Sequence, residues 1–185
     1  MVAIQKYTYR RMMQLLSFFL VMSMIFNIIF YFSLLGYTLN VSPSIPLGIY
    51  KMEAITKELQ EGDLVEVQIP EDLLEIMKER GYKAKTKNQI VKTFLKYIRG
   101  TPGDEIILET TKLKLGKTIT KNGEVLGIAL YRDTYGQSFS LPDRFIVQKG
   151  EYFIMGEHYK SYDSRYFGPV DGIYITRKAI PIWTW

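Results

Sequence analysis

The sequence predicts a mainly antiparallel β-domain with one short helix, preceded by a single N-terminal transmembrane helix. Three observations carry that expectation. Residues 12–39 form one apolar run, MMQLLSFFLVMSMIFNIIFYFSLLGYTL. From residue 64 onward the chain breaks into short alternating segments bounded by Gly and Pro. Only the stretch 71–82 is spaced as a helix.

The apolar run contains no charge, and Asn27 is its most polar member. A spanning helix needs about 20 apolar residues, which the run supplies. Lys6, Arg10 and Arg11 precede it, and the next charge is Lys51. Positive charge is retained on the cytoplasmic side. The expected layout is therefore a cytoplasmic N-terminus at 1–11, an anchor at 12–39 and an extracytoplasmic domain at 40–185. A cleaved signal peptide has an apolar region of about 7–15 residues and then a small-x-small cleavage site. This run is longer, and NVSPSIP follows it. The expectation is a retained anchor, with the lipid bilayer as a partner.

Beyond the anchor, LVEVQI (64–69) alternates as a strand and Pro70 ends it. EDLLEIMKERGY (71–82) has acids early, Lys78 and Arg80 late and Gly81 as a stop. Its Leu73, Leu74, Ile76 and Met77 stand at helical spacing. KTKNQ (85–89) reads as a polar loop, IVKTFLKYI (90–98) as a strand and RGTPGD (99–104) as a turn. Further strands are expected at 105–110, 111–116, 119–128, 144–148, 151–156 and 172–183, with Asn122-Gly123 as a hairpin turn.

Composition narrows the chemistry. The net charge is +5 without a long Lys/Arg block, so no nucleic-acid partner is expected. With no cysteine, disulfides, thiolate catalysis and Cys-based zinc sites are excluded. The single histidine, His158, leaves no His-rich metal site, and neither a metal nor a cofactor is expected.

Three clusters remain. In NVSPSIPLGIY (40–50), Pro43 and Pro46 stiffen the backbone. Ser42 and Ser44 are two apart, so an extended segment puts both hydroxyls on one face. Such a pair can serve as nucleophile and oxyanion donor; a Ser/Pro-rich linker is the plain alternative. A serine nucleophile needs a base. In IVKTFLKYI, Lys96 shares a strand face with Phe94 and Ile98. Burial there would lower its pKa; an edge lysine that reaches water is the alternative. The third cluster, GEHYKSYDSRYFGPV (156–170), sets Asp163 close to Arg165 around Ser164.

The order and spacing of these clusters resemble the bacterial type I signal peptidase family, and within it the conjugative-transfer, TraF-type serine peptidases. That branch has N-x-(S/T)-x-S-x-P-x-G-x-(Y/W) just after one anchor, matched by Asn40, Ser42, Ser44, Pro46, Gly48 and Tyr50. Lys96, Gly100, Pro102, Gly103 and Asp104 match a K-R-x-x-G-x-P-G-D box. Asp163 to Val170 match D-(S/G)-R-Y-F-G-P-V. The likeness spans about residues 38–183. It implies a signal-peptidase-like β-fold with Ser44 as nucleophile and Lys96 as general base. The Ser44 N–H and Ser42 hydroxyl would form the oxyanion hole. Asp163, Ser164 and Arg165 would brace the site by an ion pair that holds the lysine strand. Pro46, Gly48, Tyr50, Gly100, Pro102, Gly103 and Asp104 would shape turns and the edge that receives an extended substrate.

The implied substrate is an exported precursor with a membrane-inserted signal segment, pilin-like in this branch, at the bacterial cytoplasmic membrane. Hydrolysis is the default outcome; some members of the branch cyclise their pilin, and that choice stays open. Tyr97 stands where Arg is usual, and His158 and Tyr159 stand where Asn and Pro are common. His158 also invites a Ser-His-Asp reading. The rival functions are a general secretory type I signal peptidase and an inactive membrane-anchored β-module of a secretion or pilus assembly. A Ser-Lys self-cleaving repressor would need a DNA-binding domain in place of the anchor.

Overall fold

The computed structural model describes residues 2–82, 92–111 and 115–185, with side chains from residue 9 onward. The polar loop expected at 85–89 lies outside the described residues, as do the start of the 90–98 strand and the middle of the 111–116 strand. The chain divides into two compact units, Met1–Thr38 and Leu39–Trp185.

The first unit is dominated by helix α1, Val2–Leu34. Its segment Tyr9–Leu34 is 26 residues long with a mean hydropathy of 2.2, enough by length and composition to cross a membrane. The helix stops earlier than the apolar run. Gly36 takes a left-handed φ of 84° and its N–H closes on Ser33 O at 3.0 Å. Residues 37–39 of the expected anchor are therefore extended, in strand β1, Tyr37–Asn40.

The second unit is built of antiparallel strand pairs. In chain order come β2 (Gly48–Glu53), β3 (Leu64–Gln68), helix α2 (Glu71–Glu79), β4 (Thr93–Gly100), β5 (Glu105–Thr110), β6 (Gly116–Lys121) and β7 (Glu124–Leu130). Then follow β8 (Arg144–Ile146), β9 (Glu151–Met155), the one-turn helix α3 (Ser164–Phe167), β10 (Val170–Asp171) and β11 (Ile175–Thr184). Seven strands form one sheet in the order β1-β2-β11-β3-β4-β9-β10, and four form another in the order β7-β6-β5-β8.

The expected mainly antiparallel β architecture with one amphipathic helix is present. α2 buries Leu73 and Met77 one turn apart, with Ile69 beside them. Ile76 falls off that face and is 44% exposed, unlike its neighbours in the predicted stripe. The 119–128 hairpin turns at Asn122 (φ 51°) and Gly123 (φ 82°), as its sequence requires. Two short helical turns were not foreseen, α3 and a 3-10 turn at Gly172–Tyr174. Both start at an aspartate whose carboxylate accepts a backbone N–H two residues on: Asp163 from Arg165, and Asp171 from Ile173. The first three residues of the strand expected at 172–183 go to the second turn.

Two apolar clusters frame β4. Val65, Ile98, Ile154 and Val170 pack on one side of the large sheet. Ile45, Tyr50, Leu64 and Ala179 form another group, against which Tyr97 packs. Phe153 and Met155 of β9 pack with Ile106 and Ile119 of the second sheet. β4 and β9 thus lie inside the domain.

Candidate active site

The segment after β1 is a turn rather than the extended strand expected from its prolines. The side chain of Asn40 is the reason. Its Nδ2 donates to Ser42 O (2.9 Å), Pro46 O (3.0 Å) and Ile45 O (3.3 Å), and its Oδ1 accepts from Ser42 N (3.1 Å). Asn40 is 8% exposed, and its buried amide is satisfied by these bonds. The Tyr50 hydroxyl donates to Pro46 O at 2.7 Å. Gly48 is required by space: a Cβ there would lie 2.2 Å from Trp183 O on the paired strand β11. Asn40, Pro46, Gly48 and Tyr50 therefore form a frame around two serines. The Ser42 and Ser44 hydroxyl oxygens sit 3.0 Å apart, and Ser44 N–H points at Ser42 Oγ at 3.4 Å.

Lys96 lies near the middle of β4. Strand alternation buries it with Ile98, and it is 3% exposed. Val65 of β3 is its cross-strand partner. The Phe94 ring is 5.3 Å from its Nζ. Burial pushes the Lys96 amine down to about 8, against the opposing pull of Asp163 and with a smaller contribution from Arg165 in the same direction as burial. About a tenth of it is then neutral at pH 7.

Lys96 Nζ donates to Ser161 Oγ at 2.7 Å. Ser161 is 6% exposed and was not singled out in the sequence. The bond spans 65 residues, and Ser161 sits in a loop with no periodic pattern to mark it. Ser161 also lies beside the serine turn. A Cβ placed on Gly156 would be 2.6 Å from Ser161 Oγ and 2.6 Å from Ser44 O. Both groups therefore close on one point where only glycine fits. Glu157 N–H donates to Ser44 O at 2.7 Å and ties the loop to the turn directly. In this structure Ser44 Oγ pairs with Ser42, and Lys96 with Ser161.

Asp163 (0% exposed) and Arg165 (1%) form a buried ion pair. Arg165 Nε donates to Asp163 Oδ1 and Nη2 to Oδ2, each at 2.7 Å. The pair reaches the lysine strand by charge and through the loop that carries Ser161, the partner of Lys96. It holds the loop after β9. Asp163 accepts from Gly156 N (2.8 Å), while Arg165 donates to Gly156 O (3.1 Å), His158 O (3.0 Å) and Tyr159 O (3.3 Å). The carbonyls of Gly156, His158 and Tyr159 converge on one guanidinium, which also reaches Ile128 O of β7 at 3.4 Å. Ser164 Oγ accepts from Ile154 N at 2.9 Å and fixes the same loop to β9.

His158 is turned away from this pair. Its Nδ1 accepts from Lys160 N at 3.2 Å, and its ring lies 4.9 Å from that of Tyr159. The remaining residues of the second box shape the turn after β4. Asp104 accepts from Thr101 N (2.7 Å) and Thr101 Oγ1 (3.1 Å), Pro102 and Gly103 complete that turn, and a Cβ on Gly100 would press on Phe153 at 3.0 Å. Among the described residues, no group of three or more His, Cys, Asp or Glu is placed to hold a metal.

A family model described as "Signal peptidase, peptidase S26" matches residues 10–185. The chain is 28% identical over 153 residues to "Conjugal transfer protein TraF" of Agrobacterium fabrum, covering 80% of this chain and 83% of the relative. It is 27% identical to the protein of that name in Agrobacterium tumefaciens, over 80% of this chain and 83% of the relative. It is 28% identical to "Probable conjugal transfer protein TraF" of Sinorhizobium fredii, over 73% and 70%. A crystal structure of a signal peptidase I from Enterococcus faecalis V583 is similar with a TM-score of 0.38 and 21% identity, over 66% of this chain and 97% of that one.

Proposed function

This chain belongs to the signal peptidase family, peptidase S26, and from that membership we propose that it is a membrane-anchored serine endopeptidase with a Ser44–Lys96 dyad. The observation that carries the reading is Lys96 itself: a buried lysine, held by one serine beside the turn that presents another. A lysine amine driven down to about 8 is basic enough to accept a proton and neutral often enough to do so.

The neutral Lys96 amine takes the Ser44 hydroxyl proton as Oγ attacks the scissile carbonyl. Ser161 accepts one Lys96 N–H, which leaves the lone pair free to face the site. The developing oxyanion is met by Ser44 N–H and by the Ser42 hydroxyl, which gives up its bond to Ser44 Oγ. The lysine ammonium returns its proton to the leaving amine. A water, deprotonated by the same amine, then hydrolyses the acyl-enzyme. No metal or cofactor enters these steps.

The proposed substrate is an exported, pilin-like precursor of a conjugative or related type IV transfer system, cut next to its signal segment. The relatives' name, conjugal transfer protein, supports that choice over general secretory processing. α1 serves as a single-pass anchor in the bacterial cytoplasmic membrane, with Arg10 and Arg11 on the cytoplasmic side and the β-domain outside. Enzyme and substrate then meet in two dimensions, which raises their effective concentration.

The test is precursor processing in membranes. We expect cleavage by the wild type and none by Ser44→Ala or Lys96→Ala. Cleavage surviving in either variant refutes the dyad. A wild type that processes neither a pilin-like nor a secretory precursor points to the non-enzymatic β-module.

A further inference from the structure

Tyr162 follows Ser161, and its half-buried ring packs against four others. Tyr82 lies at 5.0 Å between ring centres, Phe167 at 5.5 Å, Tyr166 at 5.7 Å and Phe139 at 6.0 Å. Two of these rings come from elements far off in sequence. Tyr82 stands just beyond α2, and Phe139 lies in the loop between β7 and β8. A polar lock joins those two elements. The Tyr82 hydroxyl donates to Asp133 Oδ2 at 2.7 Å, and Arg80 Nη1 donates to the same oxygen at 3.3 Å. Arg80 Nη2 donates to Ser138 O at 3.0 Å, and the guanidinium lies 4.3 Å over the Phe139 ring. Asp133 Oδ1 accepts from Tyr135 N and Gln137 N, each at 2.9 Å, which closes the loop upon itself.

None of this cluster takes part in the proposed acyl transfer. It meets the site through the backbone of Tyr162, which joins Ser161 on one side and Asp163 on the other, through Tyr166 next to Arg165, and through Phe94, which packs in the same apolar group and lies 5.3 Å from Lys96 Nζ. On its other side Ser161 is fixed by its own N–H, which donates to His158 O at 2.9 Å. Among the described residues, the side-chain bond of Ser161 is the one it accepts from Lys96. Packed aromatic rings hold a backbone with little residual freedom, because each ring has few torsions and a large contact area.

We propose that Tyr162 is a positioning residue: clamped between Tyr82 and Phe139, it fixes Ser161 and so keeps the Lys96 amine dry and directed at the serine turn. The inference rests on the peptidase reading for the role of Lys96 in turnover, but the brace acts on Lys96 whatever that role is. The charged groups acting on Lys96 are Asp163 and Arg165, both carried by the same loop system. On β3 its partner is Val65, and the adjoining Glu66 is engaged by Arg177. Loosening Tyr162 admits water to the amine and restores part of its ordinary proton affinity.

The experiment uses the full chain in detergent with isotopically labelled lysine. The Lys96 side-chain signal is assigned by its loss in Lys96→Met and titrated by NMR, beside the pH profile of kcat/KM. Tyr162→Ala should raise the Lys96 titration by about one pH unit and shift the acid limb of kcat/KM equally. Cleavage would then fall about tenfold at pH 7 and recover at higher pH. Tyr162→Phe keeps the ring and should match the wild type in both. Tyr82→Leu should move both in the same direction by less, and it carries the test if Tyr162→Ala does not fold. A folded Tyr162→Ala or Tyr82→Leu whose Lys96 titrates as in the wild type overturns the brace, even if its thermal stability is lower. A shifted Lys96 titration with an unmoved acid limb upholds the brace and removes Lys96 as the base.

Discussion

The serine turn and the lysine pocket solve one problem in opposite ways. The turn is near the surface; its side-chain frame is local in sequence, with Glu157 N–H on Ser44 O as a distant tie. Asn40 and Tyr50 reach carbonyls two to six residues away. The pocket is buried, and its defining bond, Lys96 to Ser161, spans 65 residues. Ser42 is exposed, as a hydroxyl that must meet substrate should be. Lys96, Asp163 and Arg165 are each 3% exposed or less. The nucleophile needs geometry, which a short stiff turn can supply. The base needs an environment, which only the folded domain can supply.

The sharpest way to break this contrast is to remove each partner and read activity and stability together. Ser44→Ala and Lys96→Met should both abolish cleavage. Their stabilities should part. Ser44→Ala removes a hydroxyl near the surface and should change stability by no more than ~0.5 kcal/mol. Lys96 charged in a dry pocket costs on the order of 3 kcal/mol, because its folded value near 8 lies below the ordinary 10.5. The unfolded chain binds more protons between about pH 8 and 10.5, so stability rises with pH through that window and the full cost stands below it. Lys96→Met should therefore raise the unfolding free energy at pH 7 and remove this part of the pH slope, as followed by chemical denaturation at pH 7 and pH 10. Equal stability changes in the two variants would erase the distinction between the regions.

Next in size is the ion pair. Asp163→Ala leaves Arg165 buried without its counter-charge, which typically costs 3–5 kcal/mol. It also frees Gly156 N, so the loop carrying Ser161 should loosen and cleavage should be lost. Denaturant unfolding and the precursor assay read both. A variant as stable and active as wild type would show that the pocket is held by something other than this pair.

Ser42→Ala tests the turn alone. Losing one oxyanion donor costs about 10²–10³ in kcat. Asn40 still binds Ser42 O and N, which are backbone atoms, so the turn should keep its shape. The loss should fall on kcat with KM little changed, and stability should hold. A raised KM instead would place Ser42 in substrate binding.

The contrast also explains what the sequence discloses. The turn was legible as a site because the bonds of Asn40 and Tyr50 that frame it are local, so its residues appear together as NVSPSIPLGIY. Lys96 could be chosen among the many lysines because strand alternation put it beside Ile98, a purely periodic signal. The frame role of Asn40 was not legible, because the prolines suggested an extended strand and the side-chain bonds make a turn. Ser161 was hidden altogether, since nothing near it in sequence indicates a lysine 65 residues earlier. The direction in which Arg165 works was hidden for the same reason: it depends on which carbonyls converge upon it. The β-architecture was readable from alternation and turn residues, whereas α3 and the 3-10 turn depend on two aspartates accepting backbone N–H bonds at their starts.

The smallest expected effect is the most discriminating for the identity of the base. His158 is close to Asp163 in sequence, and a Ser-His-Asp arrangement would require its ring to reach both Asp163 and Ser44. The structure spends Asp163 otherwise, on Arg165 and Gly156 N. The His158 ring accepts from Lys160 N and lies against Tyr159. What His158 gives the site is its carbonyl oxygen, which accepts from Arg165 Nη2 and from Ser161 N. Any residue provides a carbonyl. His158→Ala should therefore change kcat/KM by less than about twofold and stability by no more than ~0.5 kcal/mol. Its acid limb should stay where the wild type's lies, near the Lys96 value. If His158→Ala is inactive while Lys96→Ala still cleaves, the base belongs to the histidine, and the dry pocket around Lys96 is a matter of structure alone.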